Sequence, residues 1–227
     1  MIKNLPDKEL AKRLGWLSWS TGIQFFSLMI LYAAIADVSG IELRFRQAPP
    51  LGIGIILGLI FLGDWGINAY VIPALVLKME KPREAMVMTI LFLLFSLLSR
   101  FITVFSLLIN TVRIEIDFIW LYWSAPLGAI FFSIVIFMLS KTPIAYSRGR
   151  RLRLLATINF LVSLFMFVTA VINYYIVPLD FNFWNMAVFI YSYKVGIMAI
   201  AFALEYDSWA TEIEKVSQVL EDEKTKD

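Results

Sequence analysis

The amino-acid sequence predicts an all-α, polytopic integral membrane protein with about six transmembrane helices. Of its 227 residues 60% are hydrophobic and only 17% are charged, and the apolar residues form six long stretches between short polar segments. Soluble domains contain about 45 to 50% apolar residues, and a membrane-spanning helix needs about 20 mostly apolar residues. Six such stretches occupy most of the chain, so little of it remains for a soluble domain.

The predicted helices cover residues 16–37, 51–77, 86–109, 118–139, 154–177 and 183–204. If the N-terminus is inside, the cytoplasmic segments contain fifteen lysines and arginines and the external segments contain three. Because positive charge concentrates on the cytoplasmic side, we expect a multi-pass protein with both termini in the cytoplasm. The predicted divisions are a cytoplasmic segment at 1–15, a six-helix transmembrane domain at 16–204 and an acidic cytoplasmic tail at 205–227.

Two external segments, residues 41–46 and 112–117, alternate apolar with charged residues, which is the period of a strand. The charged residues are Glu42, Arg44 and Arg46 in one segment and Arg113, Glu115 and Asp117 in the other. Facing opposite charges stabilise a pair of strands. The pattern therefore indicates either a small pairing between these segments or interfacial coil.

The second helix contains five of the eleven glycines of the chain. Gly63 and Gly66 flank Asp64 near the middle of the span, and Asn68 lies one turn further on. Because glycine allows the backbone to leave the helical conformation, these two glycines predict a helix break that offers carbonyl groups to an ion. The alternative is that the glycines only allow close helix packing.

Three ionisable residues, Asp64, Arg100 and Lys194, fall near the middle of predicted spans. A charge at that depth costs about 2.5 to 3.5 kcal/mol on the insertion scale, so each must be paired, hydrated or used. The third helix also carries polar residues close to the face of Arg100, namely Thr89, Ser96, Thr103 and Asn110. We expect Asp64, Asn68, Arg100 and Lys194 either to bind a substrate or ion, or to include a buried ion pair between Asp64 and one of the two cations.

Two predicted cytoplasmic segments carry charge of opposite sign, a basic one between the fourth and fifth helices and an acidic one in the tail. Five cations, with no acid among them, lie between the fourth and fifth helices: Lys141, Arg148, Arg150, Arg151 and Arg153. They predict a site for an anionic lipid headgroup, at roughly 1 kcal/mol per charge, or serve only as a topology signal. In the tail, Trp209, Ile213, Val216 and Leu220 recur at helical spacing. This predicts an amphipathic acidic helix that docks on the basic loops or on a protein partner.

Two short segments of the first half recur in the second. Residues 16–20 resemble 120–124, and residues 67–73 resemble 172–178, at offsets of 104 and 105. A unit of three helices crosses the membrane an odd number of times, so a second copy has inverted topology, as in many transporters and channels. The pattern predicts two inverted three-helix repeats, with chance similarity of apolar segments as the alternative.

Composition excludes several classes of function. The chain contains no cysteine and no histidine, which removes thiolate and imidazole metal sites, bis-histidine haem, disulfides and Ser-His or Cys-His catalysis. Aspartyl catalysis inside the membrane needs two carboxylates, and Asp64 is the single acid at mid-span. A net charge of +2 gives no indication of nucleic-acid binding. We expect no enzymatic activity, no metal and no cofactor.

These observations predict a transport or channel subunit that uses a polar site at mid-membrane for a small solute or ion. The alternative is a non-catalytic accessory or assembly subunit of a larger membrane complex. The first interpretation gives the functional role to the charges inside the membrane, and the second gives it to the acidic tail.

Overall fold

A computed structural model describes residues 8–39, 42–45, 51–79, 81–109, 119–175 and 181–225. Its six α-helices are α1 (Lys8–Ile35), α2 (Leu51–Val76), α3 (Pro82–Ile109), α4 (Ile119–Leu139), α5 (Gly149–Tyr175) and α6 (Phe181–Lys224). A 3-10 helix at Pro143–Arg148 precedes α5. The predicted helical class is confirmed, although α1 begins earlier and α6 ends later than the sequence predicted.

Three helices contain segments long and apolar enough to cross a membrane, judged from their described residues. The segments are Gly58–Val76 in α2, Pro82–Phe101 in α3 and Gly149–Ile172 in α5. A shorter apolar segment, Trp123–Leu139, lies in α4. These segments support association of the chain with a membrane.

The six helices form a closed ring, because each packs on its neighbours in the chain and α6 packs on α1. The contact between α1 and α6 is antiparallel and is the most extensive in the molecule. A Cβ at Gly22 would lie 2.8 Å from the Ile200 side chain, and one at Gly196 would lie 3.2 Å from Phe26. Glycine at these positions therefore lets the two backbones approach closely.

The most tightly packed core lies where α1 begins and α2 and α4 end. Its largest buried side chains are Phe202, Tyr206 and Trp209 of α6. They share one apolar cluster with residues of α1, α2, α4 and α5, including Leu10, Leu14, Val76, Leu139 and Leu152. Burial of these large apolar side chains away from water stabilises the packing of α6 on the other helices.

The predicted tail helix is the continuation of α6, which runs for 44 residues without interruption. At 1.5 Å per residue this helix is about 66 Å long, more than twice the roughly 30 Å of a hydrocarbon core. Trp209 and Ile213 are buried, in the same cluster as the first turns of α1. Trp19 Nε1 also donates a hydrogen bond of 2.9 Å to Asp207 Oδ2. The tail therefore docks on the chain itself.

A small antiparallel hairpin follows α1. It consists of β1 (Ala36–Ser39) and β2 (Glu42–Phe45), with Asp37 opposite Arg44 in the register. The segment that was predicted to pair with residues 112–117 thus pairs with its own neighbour in the chain. Residues 112–117 lie outside the described part of the chain.

Candidate functional site

Asp64 lies at a junction of three helices. Its side chain is fully buried, and Arg100 of α3 donates from Nη2 to Asp64 Oδ2 at 2.5 Å. Thr21 of α1 donates between the two carboxylate oxygens, at 3.0 Å from Oδ1 and 3.1 Å from Oδ2. Of the two pairings that the sequence left open, the structure has Asp64 with Arg100.

Neighbouring side chains hold the three helices in this arrangement. Trp65 Nε1 of α2 donates to the Leu93 carbonyl oxygen of α3 at 2.9 Å. Gln24 Nε2 of α1 donates to the Ile60 carbonyl oxygen of α2 at 3.0 Å. Both bonds cross between helices, so they fix the rotation of α2 that directs Asp64 inward. Trp65 and Gln24 are positioning residues that the sequence reasoning missed.

Asn68, which was predicted to join the site, is buried one turn after Asp64. Its Nδ2 donates at 2.9 Å to the Asp64 carbonyl oxygen, a group of its own helix backbone. The amide therefore bonds the backbone instead of the Asp64 carboxylate.

The predicted helix break at Gly63 and Gly66 is wrong, because α2 is helical through both residues. Both glycines are exposed, and a Cβ at either would meet no described atom within 4 Å, so they do not mediate close packing. A backbone in apolar surroundings keeps its helical hydrogen bonds unless other groups replace them. The Asp64 carboxylate accepts hydrogen bonds from side chains of α1 and α3. The described contacts of Asp64 therefore do not require backbone carbonyl groups that have left the helix.

Lys194 belongs to a second polar cluster, which joins α4, α5 and α6. Its Nζ donates to Ser163 Oγ at 2.6 Å and lies 3.4 Å from the Asn159 carbonyl oxygen. Asn159 Nδ2 donates in turn to Ser133 Oγ of α4 at 2.7 Å. Asn159 and Ser163 lie one turn apart in α5, and the sequence alone does not show that both contact Lys194.

A cavity of about 120 Å³ connects the two clusters and has walls from all six helices. Its polar lining residues are Ser18 and Thr21 of α1, Asn68 of α2, Ser96, Ser99 and Arg100 of α3, and Asn159 of α5. Phe92, Phe132 and Phe202 form apolar walls. A water molecule occupies about 30 Å³ in the liquid, so the space suits about four waters or one small solute. Arg100 and Asn68 therefore face this cavity, and Asn159 connects it to Lys194.

Arg148 forms a separate ion cluster at the end of the bundle where α5 begins. Its Nε lies 2.9 Å from Glu212 Oε2 and 3.7 Å from Glu205 Oε1, and its Nη2 donates to Ser208 Oγ at 2.8 Å. The Arg148 side chain is only 14% exposed. The two glutamates and the serine share one face of α6, which links this helix to the segment before α5.

This arrangement involves one residue of the predicted lipid site. Arg148 pairs with acids of α6, which leaves less of its charge for a headgroup. The other four predicted residues are exposed: Lys141, Arg150, Arg151 and Arg153. Lys141 Nζ lies 4.5 Å from the centre of the Phe137 ring. An anionic headgroup at the five cations stays a prediction.

Burial raises the pKa of the Glu205 carboxyl from its ordinary value of 4.5, against the opposing charges of Arg148 and Arg151. A folded-state pKa above the unfolded one means that stability falls as pH rises through this interval. We expect Glu205→Gln to remove this loss, because Arg148 keeps Glu212. The melting temperature of the variant relative to wild type should therefore increase between pH 4 and pH 7.

Melting curves of the two proteins across this pH range test the expectation. Glu221→Gln removes one exposed acid further along α6 and controls for the change in net charge. A pH profile that is identical for wild type and Glu205→Gln would show that Glu205 is hydrated in the folded protein.

Comparisons of the chain with protein-family models, with curated proteins and with solved structures found no match. A function for the chain is therefore inferred from the geometry of the cavity and of the two clusters beside it.

Proposed function

We propose that this chain is a six-span membrane protein that binds a small polar solute or ion in its central cavity and passes it across the membrane. The observation that supports this most is the position of the cavity. It lies beside the buried Asp64–Arg100 pair, between helices that include all three candidate spans. A polar chamber at that depth is the usual location of a transport site.

Burying an ion pair and polar side chains in the bundle has a cost in free energy that a binding role would explain. A buried ion pair contributes little to stability, because apolar residues of similar size often replace it without loss. Here the Asp64–Arg100 pair lies beside a cavity with seven polar lining residues. Apolar side chains could fill the same space. A binding role explains why both features occur together.

The ring supports the proposal of six spans. Neighbouring helices in it are antiparallel, so α1, α4 and α6 lie alongside α2, α3 and α5, which contain the candidate spans. α1 has 28 residues, α4 has 21 and α6 has 44. Each of these helices is long enough to cross a hydrocarbon core of about 30 Å. The excess of positive charge in the predicted cytoplasmic segments supports two cytoplasmic termini.

Filling the cavity tests the function. Ala199 of α6 lines the cavity and is buried, so Ala199→Leu should occupy part of it. We expect at least a severalfold lower solute flux into liposomes that contain the purified variant, with no loss of melting temperature, because the side chain fills existing space. Shrinkage and recovery of liposomes in a panel of sodium salts and small neutral solutes measures this flux.

Ala74→Leu is the matched control, because Ala74 is exposed on the outside of α2. Its flux should equal that of wild type. If wild type shows no flux above empty liposomes, the transport proposal fails. The function left would be an accessory subunit, and the surface that favours it is the exposed acidic end of α6, with Glu221, Asp222 and Glu223.

A further inference from the structure

We infer that the ligand of the cavity is a small monovalent anion, bound by the part of the Arg100 guanidinium group that Asp64 leaves open. This inference rests on the proposed function and names its class of solute. The recognised chemistry is that of a compact hydrogen-bond acceptor with one negative charge, such as nitrate, formate or chloride.

Arg100 has more hydrogen-bond donors than its described partners use. A guanidinium group has five N–H donors in a rigid fork and no acceptor. Among the described residues, Arg100 donates to Asp64 Oδ2 at 2.5 Å and, over a long 3.5 Å, to the Ser96 carbonyl oxygen. Its side chain also lines the cavity. The remaining N–H groups are therefore available to a ligand, and a planar oxyanion matches their geometry.

The distribution of charge around the cavity also favours an anion. Arg100 is the one charged side chain among the described residues that line it. Asp64 does not line the cavity, since its oxygens accept hydrogen bonds from Thr21 and Arg100. Lys194 contacts Asn159 on the opposite wall. Among the described lining residues the charge that faces the cavity is therefore positive, which favours a ligand with one negative charge.

The volume of the cavity limits the size of its ligand. The volume of about 120 Å³ suits an anion of a few heavy atoms, and the apolar walls of Phe92, Phe132 and Phe202 offer no hydrogen-bond donors in place of water. The lost hydration must be replaced by donors of the protein, which Arg100 supplies at this depth. A large organic anion such as gluconate does not fit.

Thermal stabilisation of the purified full-length chain in detergent tests the inference. Sodium nitrate, formate and chloride are compared with sodium gluconate at constant sodium concentration and ionic strength. We expect the small anions to raise the melting temperature saturably, on the order of 5 °C at a hundredfold the dissociation constant, and gluconate to have no such effect.

Two variants assign the effect to Arg100. Asp64→Asn removes the carboxylate that competes with the ligand, so anions should stabilise this variant at several-fold lower concentrations than wild type. Asp64→Asn combined with Arg100→Gln replaces the pair by two neutral amides and should lose the anion effect. Arg83→Gln removes an exposed cation at the start of α3 and should respond as wild type does.

The outcomes separate this inference from the proposed function. Stabilisation by a cation or a neutral solute would overturn the anion assignment, and an anion effect that persists in the double variant would overturn binding by Arg100. Either result leaves the transport function standing. If the double variant does not fold, Asp64→Asn decides, because an unchanged or weaker anion response contradicts the inference. If no solute stabilises wild type and Ala199→Leu has the flux of wild type, both proposals are wrong.

Discussion

Arg100→Gln is expected to lower the free energy of unfolding by about 3 to 5 kcal/mol. The reason is that the Asp64 carboxylate, with 0% of its side chain exposed, would stay buried without its cation. The Thr21 hydroxyl alone cannot replace a guanidinium group, because a neutral donor stabilises a carboxylate much less than a charged one. Denaturation in detergent, followed by tryptophan fluorescence, measures this loss.

The control for this result is the neutral pair. Asp64→Asn combined with Arg100→Gln should recover most of the stability, because neither residue of the pair then carries a charge that needs a partner. Arg153→Gln, at an exposed position of α5, should change stability by less than about 0.5 kcal/mol. A loss below about 1 kcal/mol for Arg100→Gln alone would mean that water in the cavity reaches and solvates Asp64.

Trp209→Ala should lower the free energy of unfolding by about 3 to 5 kcal/mol, the usual cost of removing a buried tryptophan. Trp209 is 2% exposed, and its ring centre lies 6.3 Å from that of Tyr206. The cluster that it shares with Leu10 and Leu14 joins α6 to the start of α1. We therefore expect faster proteolysis at both chain ends, together with a lower melting temperature.

Two variants of the same helix serve as comparisons. Val219→Ala, at a position that is 56% exposed, should change stability by less than about 0.5 kcal/mol. Trp209→Phe should cost much less than Trp209→Ala, because Trp209 Nε1 has no hydrogen-bond partner among the described residues. If Trp209→Ala and Val219→Ala behave alike, the tail of α6 is not docked on α1.

Much of the fold is visible in the sequence because its determinants are local. The length of each apolar stretch predicts a helix, since a backbone inside hydrocarbon must satisfy its own hydrogen bonds. The same reasoning placed Asp64, Arg100 and Lys194 away from lipid. Exposing a charged side chain to lipid costs free energy whichever residue would otherwise pair with it. Trp209 and Ile213 were likewise predicted on one apolar face from their spacing alone.

The sequence by itself determined that these helices and their charged residues lie inside a bundle, and only the tertiary structure decided which groups meet. Asp64 pairs with Arg100, while Lys194 contacts α5. Arg148 binds acids of α6, and α2 stays helical through its glycines. Helical periodicity specifies which face of each helix is buried. The choice of partner depends on how neighbouring helices are rotated and aligned in the ring, and that is set by packing between residues far apart in the chain.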